Sequence, residues 1–167
     1  IDLDSQANAT SGLGLEKDER ATSYEVLIGA TEARAAIRTT DLPHLSVLPT
    51  DQRLSGAEIE LVDAEQRERF LERALSGVRG DYDYLLIDTP PSLGLLTVNA
   101  LTAANTVLIP IQCEYYALEG ITQLLSTIRL VQADLNRALR IEGVLLTMFD
   151  KRLRLSQQVA DETRDHF

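Results

Sequence analysis

A chain of 167 residues with 44% hydrophobic and 25% charged residues has the size and make-up to bury one substantial core. A net charge of −10 argues against a chain that coats nucleic acid along its whole length, and no apolar run approaches the ~20 residues needed to span a bilayer. The single cysteine, Cys113, excludes an intrachain disulfide and suits a reducing cytoplasm. Charge is unevenly spread: residues 1–128 carry 9 Lys/Arg against 20 Asp/Glu, whereas residues 129–167 carry 7 against 6. A locally basic end on an acidic body can still touch phosphates, although a charge-balanced helical surface is the commoner explanation.

The chain opens on IDLDSQANATSGLG. Ile1 to Asp4 reads as a strand end that delivers two carboxylates into a polar loop. Asp4, at the exit, is placed to orient a water toward a phosphate or a metal. Gln6, Asn8, Thr10, Ser11, Gly12 and Gly14 compose a flexible loop of the kind that reorders around a phosphate, or else a solvated turn.

Leu45 to Pro49 (LSVLP) is a short strand, followed by helix-forming AEIEL. EQRERFLERALSGV follows, with Phe70, Leu71, Ala74, Leu75 and Val78 at helical spacing, and Gly80 is expected to close that helix in a left-handed conformation. Tyr84 to Ile87 is the near-continuous apolar run of a parallel strand covered on both faces. A helix over LLTVNALTAA, a strand from Thr106 to Ile111, a long helix from about Ala117 to Leu135, a strand over IEGVLLTMF and a helix from about Leu155 complete the chain. Tyr115 and Tyr116, just past a strand end, read as packing residues.

Apolar strands alternating with helices predict an α/β fold, a doubly wound, mostly parallel sheet flanked by helices. Ligands of such sheets lie beyond the carboxyl ends of the strands. Asp2/Asp4, Asp88-Thr89-Pro90-Pro91, Gln112 with Glu114, and Thr147 to Asp150 are the polar groups at those ends. In LLIDTPP, apolar residues run into an Asp at a strand tip, as in the Mg²⁺-side motif of phosphate-binding NTPases. Asp88 would hold the metal there, with Pro90 and Pro91 stiffening the exit. An Asp that merely caps the next turn is the other reading.

In this order DLDSQANATSGLG, YDYLLIDTPPSLGLLTVNALTAANTVLIPIQCEYYALEGITQLL and LLTMFDKR closely resemble the ParA/Soj family of partition ATPases, of the deviant Walker type, across essentially the whole chain. The resemblance implies a P-loop NTPase-like domain, partial over residues 1–167, that hydrolyses ATP with Mg²⁺ and segregates chromosome or plasmid DNA. By the same resemblance Asp88 is the Walker B aspartate and metal ligand, and Asp4 the switch aspartate needed for hydrolysis. Asp2 belongs with Asp4 at the nucleotide, Thr147 and Met148 lie near the base, and Arg152 contacts non-specific DNA. Implied partners are ATP, a second copy of the chain in an ATP-sandwich homodimer, DNA and a ParB-like protein, with no membrane, in a nucleoid-associated cytoplasmic setting. Ser5 departs from the family, which usually has Pro there. The family's phosphate loop, K-G-G-x-G-K-T-T, has no counterpart here and is expected upstream of Ile1, with a base-closing segment after Phe167. The chain therefore reads as an internal part of a longer ATPase, weakly active or inactive alone and with open strand edges. Two other readings are a scaffold that kept the fold without its phosphate loop, and a MinD-like division-site ATPase.

Overall fold

The strand end that opens the chain is paired on both sides. The Asp2 amide donates to the Leu48 carbonyl at 3.0 Å, while the Asp88 amide donates to the Ile1 carbonyl and the Leu3 amide to the Asp88 carbonyl, each at 2.9 Å. Asp2 and Asp88 thereby form a parallel bridge. The computed structural model describes residues 1–16, 20–113 and 117–166, in two compact units, 1–103 and 104–167. Glu114, Tyr115 and Tyr116 lie outside the described residues, as does Lys17.

In the first unit short helices pack around this paired strand end: α1 (Asn8–Gly12), α2 (Ser23–Leu27), α3 (Ala33–Ala36), α4 (Leu54–Glu60), α5 (Phe70–Leu75) and α6 (Leu95–Ala103). Between α3 and α4, β1 (Arg38–Thr39) and β2 (Ser46–Val47) make a two-residue antiparallel ribbon. The α2 helix starts at a capping box: the Tyr24 amide donates to the Thr22 hydroxyl, and the Thr22 amide donates to the Glu25 carboxylate at 2.8 Å. Leu3, Leu27, Leu48, Leu54, Leu71 and Leu75 fill the core, all at most 2% exposed.

The α6 helix is buried on most of its circumference, from Leu96 to Ala103. One of its buried groups is polar. Asn99, fully inaccessible, accepts from the Leu71 amide at 3.1 Å and donates to the carbonyls of Arg67 at 2.8 Å and Leu95 at 3.0 Å. Its side-chain amide thus pairs the buried Leu71 amide in the first turn of α5 and the Arg67 carbonyl in the turn that precedes it.

The second unit is one parallel crossover. β3 (Thr106–Gln112) runs beside β4 (Arg140–Thr147), from Thr106 opposite Arg140 to Gln112 opposite Thr147, with a register shift after Val107. The 18-residue α7 (Ala117–Asp134) connects them, since parallel neighbours need a long crossover, and α8 (Arg154–His166) follows. Among the described residues no helix is long and apolar enough to cross a membrane.

The α/β architecture and parallel pairing accord with the alternation read from the sequence, and four local expectations change. Tyr84 to Ile87 is not covered on both faces: Ile87 packs on the core while Tyr84 and Leu86 are 86% and 80% exposed. Its backbone is tied to the opening strand by the bridge at Asp88 and the bonds beside it, with Ile87 on the core side and Tyr84 and Leu86 facing out. Gly80 does not end a helix. The α5 helix stops at Leu75 and Gly80 sits inside a 3₁₀ turn, while among the described residues Gly14 and Gly29 are the glycines with positive φ, 77° each. LSVLP shortens to Ser46–Val47, because Leu48 turns its carbonyl to Asp2 instead of to β1. The polar loop after Asp4 is not open either: it folds as α1, entered through Ala7 at φ 58°.

Replacing Asn99 with Leu keeps the volume but strands the Leu71 amide and Arg67 carbonyl. Asn99→Leu is expected to lower unfolding free energy by about 2–4 kcal/mol in chemical denaturation. A loss below about 0.5 kcal/mol would show that these groups find other partners.

Candidate functional site

The two carboxylates of the opening strand have different surroundings. Asp2 is fully inaccessible. One of its oxygens accepts from the Asp4 amide at 3.0 Å; the other accepts from the Thr10 amide at 2.8 Å and the Thr10 hydroxyl at 2.7 Å. A buried carboxylate needs such charge-assisted bonds to be tolerated. The Thr10 hydroxyl also accepts from the Thr50 amide at 3.0 Å, and the Ser23 hydroxyl donates to the carbonyls of Asp2 at 2.7 Å and Pro49 at 3.0 Å. The Asp2 side chain thus faces inward, onto its own loop. Behind the loop lies a cavity of 260 Å³ whose walls include Gln6, Thr10, Thr22, Arg38 and Thr50.

Asp4 is half-buried and its carboxylate accepts from the Gln6 amide at 3.0 Å, a local turn that leaves it at the surface. Asp88 is exposed at the neighbouring strand tip. Partial burial, then the negative charges of Asp2 and Asp4, push its carboxyl above the usual range, partly offset by the Thr89 amide. Asp2, Asp4 and Asp88 therefore share one electrostatic environment, although only Asp4 and Asp88 reach solvent.

The remaining predicted site residues belong to the second unit. Thr147 ends β4, its hydroxyl donating to the Ile111 carbonyl at 3.3 Å, and Met148 is 77% exposed at φ 54°. Arg152 is 85% exposed, with its guanidinium on the Asp150 carboxylate at 2.7 Å. The Arg152 bond holds the Asp150 carboxyl below its ordinary range. An exposed ion pair of this kind contributes little to stability, so the guanidinium can change partners at little cost.

Among the described residues no three His, Cys, Asp or Glu side chains form a cluster able to hold a metal ion. Magnesium does not require one: it is commonly bound by one or two carboxylates together with waters and phosphate oxygens. The exposed Asp88, crowded by like charge, fits that role, since a cation would relieve the repulsion.

A family model described as AAA domain matches residues 1–141. The sporulation initiation inhibitor protein Soj of Bacillus subtilis is 54% identical over 168 residues, covering 100% of this chain and 66% of that protein. The chromosome partitioning protein ParA of Myxococcus xanthus is 51% identical, covering 100% and 59%. The chain belongs to the ParA/Soj family of P-loop ATPases. It spans less than two thirds of the length of these curated relatives. A solved structure named cobyrinic acid a,c-diamide synthase, from Mycobacterium smegmatis with a bound ATP analogue and magnesium, superposes with a TM-score of 0.93 at 42% identity, covering 99% of this chain and 68% of that one.

Sequence reasoning missed the division of labour between Asp2 and Asp4, and the part of Thr10, which it placed only within a polar loop. The signal that was available is spacing. Asp2 lies eight residues before Thr10, about the reach of a tight loop that returns a hydroxyl to the strand it left.

The raised Asp88 carboxyl makes a pH prediction. Its folded-state value lies above the unfolded one, so this group favours the folded state at low pH and that benefit is lost as pH rises from about 4 upward. Asp88→Asn is expected to raise the melting temperature at pH 7, with the gain shrinking as pH falls through the carboxylate range. A variant less stable than the parent at pH 7 would contradict the assignment.

Proposed function

We propose that the protein carrying this chain is a partition ATPase of the ParA type, and that both units belong to one partial ATPase domain. The observation that carries this reading is that the half-buried Asp4 and the exposed Asp88 share one electrostatic environment at adjacent strand ends joined by the Asp2–Asp88 bridge. In this reading Asp88 holds Mg²⁺ and Asp4 orients the attacking water. Bound Mg²⁺ and ATP supply charge neutralisation and the phosphate bond that is broken. Asp2 keeps the loop that carries Asp4 in place. Thr147 and Met148, at the end of β4, border the base.

In the second unit Arg152, beside Lys151 and Arg154, exchanges Asp150 for a DNA phosphate, which carries no sequence information. ATP joins two copies of the protein, the dimer holds DNA non-specifically, and hydrolysis, accelerated by a ParB-like partner, releases it. The protein then works in the cytoplasm on the nucleoid. Residues 1–167 contain no G-K-[ST] sequence and so lack the backbone cradle that such phosphate loops provide. By themselves they are expected to bind ATP weakly.

The M. smegmatis neighbour bears the name of a different activity, a synthase. Identities of 54% and 51% to Soj and ParA, against 42% to that structure, favour partition. The test is ATP turnover by the intact protein with and without DNA. Stimulation by DNA and a ParB-like protein is expected, with Asp4→Ala slowing turnover by about 100-fold or more while still binding ATP. Turnover that ignores DNA but follows added cobyrinic acid would replace the partition reading.

A further inference from the structure

We infer that Thr10 is a positioning residue for Asp4, acting through the buried Asp2 carboxylate; the inference rests on the role proposed above for Asp4. Asp4 lies just past the strand end, in no helix or strand of its own. Its amide is held by Asp2 Oδ1 at 3.0 Å, while Asp2 Oδ2 is held by the Thr10 amide and hydroxyl. One carboxylate therefore grips both ends of the segment that carries Asp4, and Thr10 determines how that carboxylate is turned.

The Thr10 hydroxyl has one proton, committed to Asp2, and its lone pairs accept from the Thr50 amide. Asp2, Thr10 and Thr50 are 0%, 4% and 3% exposed, so water does not readily replace any of these bonds. The relay runs from the loop through the strand end to the segment that follows β2. Losing the hydroxyl leaves Asp2 short of one donor and the Thr50 amide without its acceptor. The cheapest relief is a rotation of the Asp2 carboxylate, and that rotation moves the amide of Asp4.

The experiment compares Thr10→Val, Thr10→Ser and Asp4→Ala in the intact protein. Steady-state hydrolysis is measured beside direct titration with a fluorescent ATP analogue, and melting temperatures are recorded. Valine keeps the shape and removes both bonds, whereas serine restores the oxygen. The expected result is a kcat lowered about tenfold or more in Thr10→Val, with nucleotide Kd within about twofold of the parent, and recovery of kcat in Thr10→Ser. If Thr10→Val does not fold, Thr10→Cys, a weak donor of similar size, takes its place with the same split expected. A parental kcat in Thr10→Val beside an inactive Asp4→Ala would overturn the positioning role alone. Loss of nucleotide binding in step with kcat would reduce Thr10 to a structural residue and also overturn it. Parental turnover in Asp4→Ala would remove the role of Asp4 and the inference with it.

Discussion

A single buried carboxylate organises the first unit. Asp2 takes donors from Asp4 and Thr10, while its backbone is tied to Leu48 on one side, bridged to Asp88 on the other and capped by the Ser23 hydroxyl. Charge burial on this scale is unfavourable unless every acceptor is used. Here the penalty is offset by three bonds, from the Asp4 amide and from the amide and hydroxyl of Thr10, while the backbone of Asp2 is tied to the Ser23 hydroxyl and the Leu48 carbonyl, so the strand end, the α1 loop, the start of α2 and the exit of β2 are fixed relative to one another. Changing any one of them disturbs the surroundings of the carboxylate.

The arrangement separates two tasks that the sequence presents side by side. In D-L-D the strand ends between the two aspartates: Asp2, in the bridge to Asp88, is fully buried, while Asp4, just past the strand end, is only half-buried. The inward one becomes scaffold. The outward one, with Asp88 on the neighbouring strand tip, supplies concentrated negative charge at a surface, and this is the condition under which a divalent cation and its phosphate ligands are favoured. Like charge that strains Asp88 without a cation is what gives a cation something to relieve.

Much of this was legible in the sequence. The second unit follows the pattern nearly residue for residue, because a parallel β–α–β crossover forces long regular elements with clear periods: β3, α7, β4 and α8 begin and end close to where Thr106, Ala117, Ile141 and Leu155 suggest. The place of Asp88 at a strand tip was also legible, since it ends the apolar run Leu85 to Ile87. The first unit was harder. Its helices are four to nine residues long and are held by side-chain bonds, such as those of Asn99, whose partners lie far away in sequence. Such pairings leave no periodic trace.

The central claim is that Asp2 holds its loop as a structural unit and not as a mobile phosphate-binding flap. Amide hydrogen exchange read by NMR addresses it residue by residue. If the claim holds, the amides of Thr10 and Thr50 exchange as slowly as those of core residues such as Leu71, because breaking their bonds exposes the buried carboxylate. Exchange of Thr10 and Thr50 at the rate of the exposed loop residues Asn8 and Gly12 would mean that the loop opens freely and that Asp2 does not hold it.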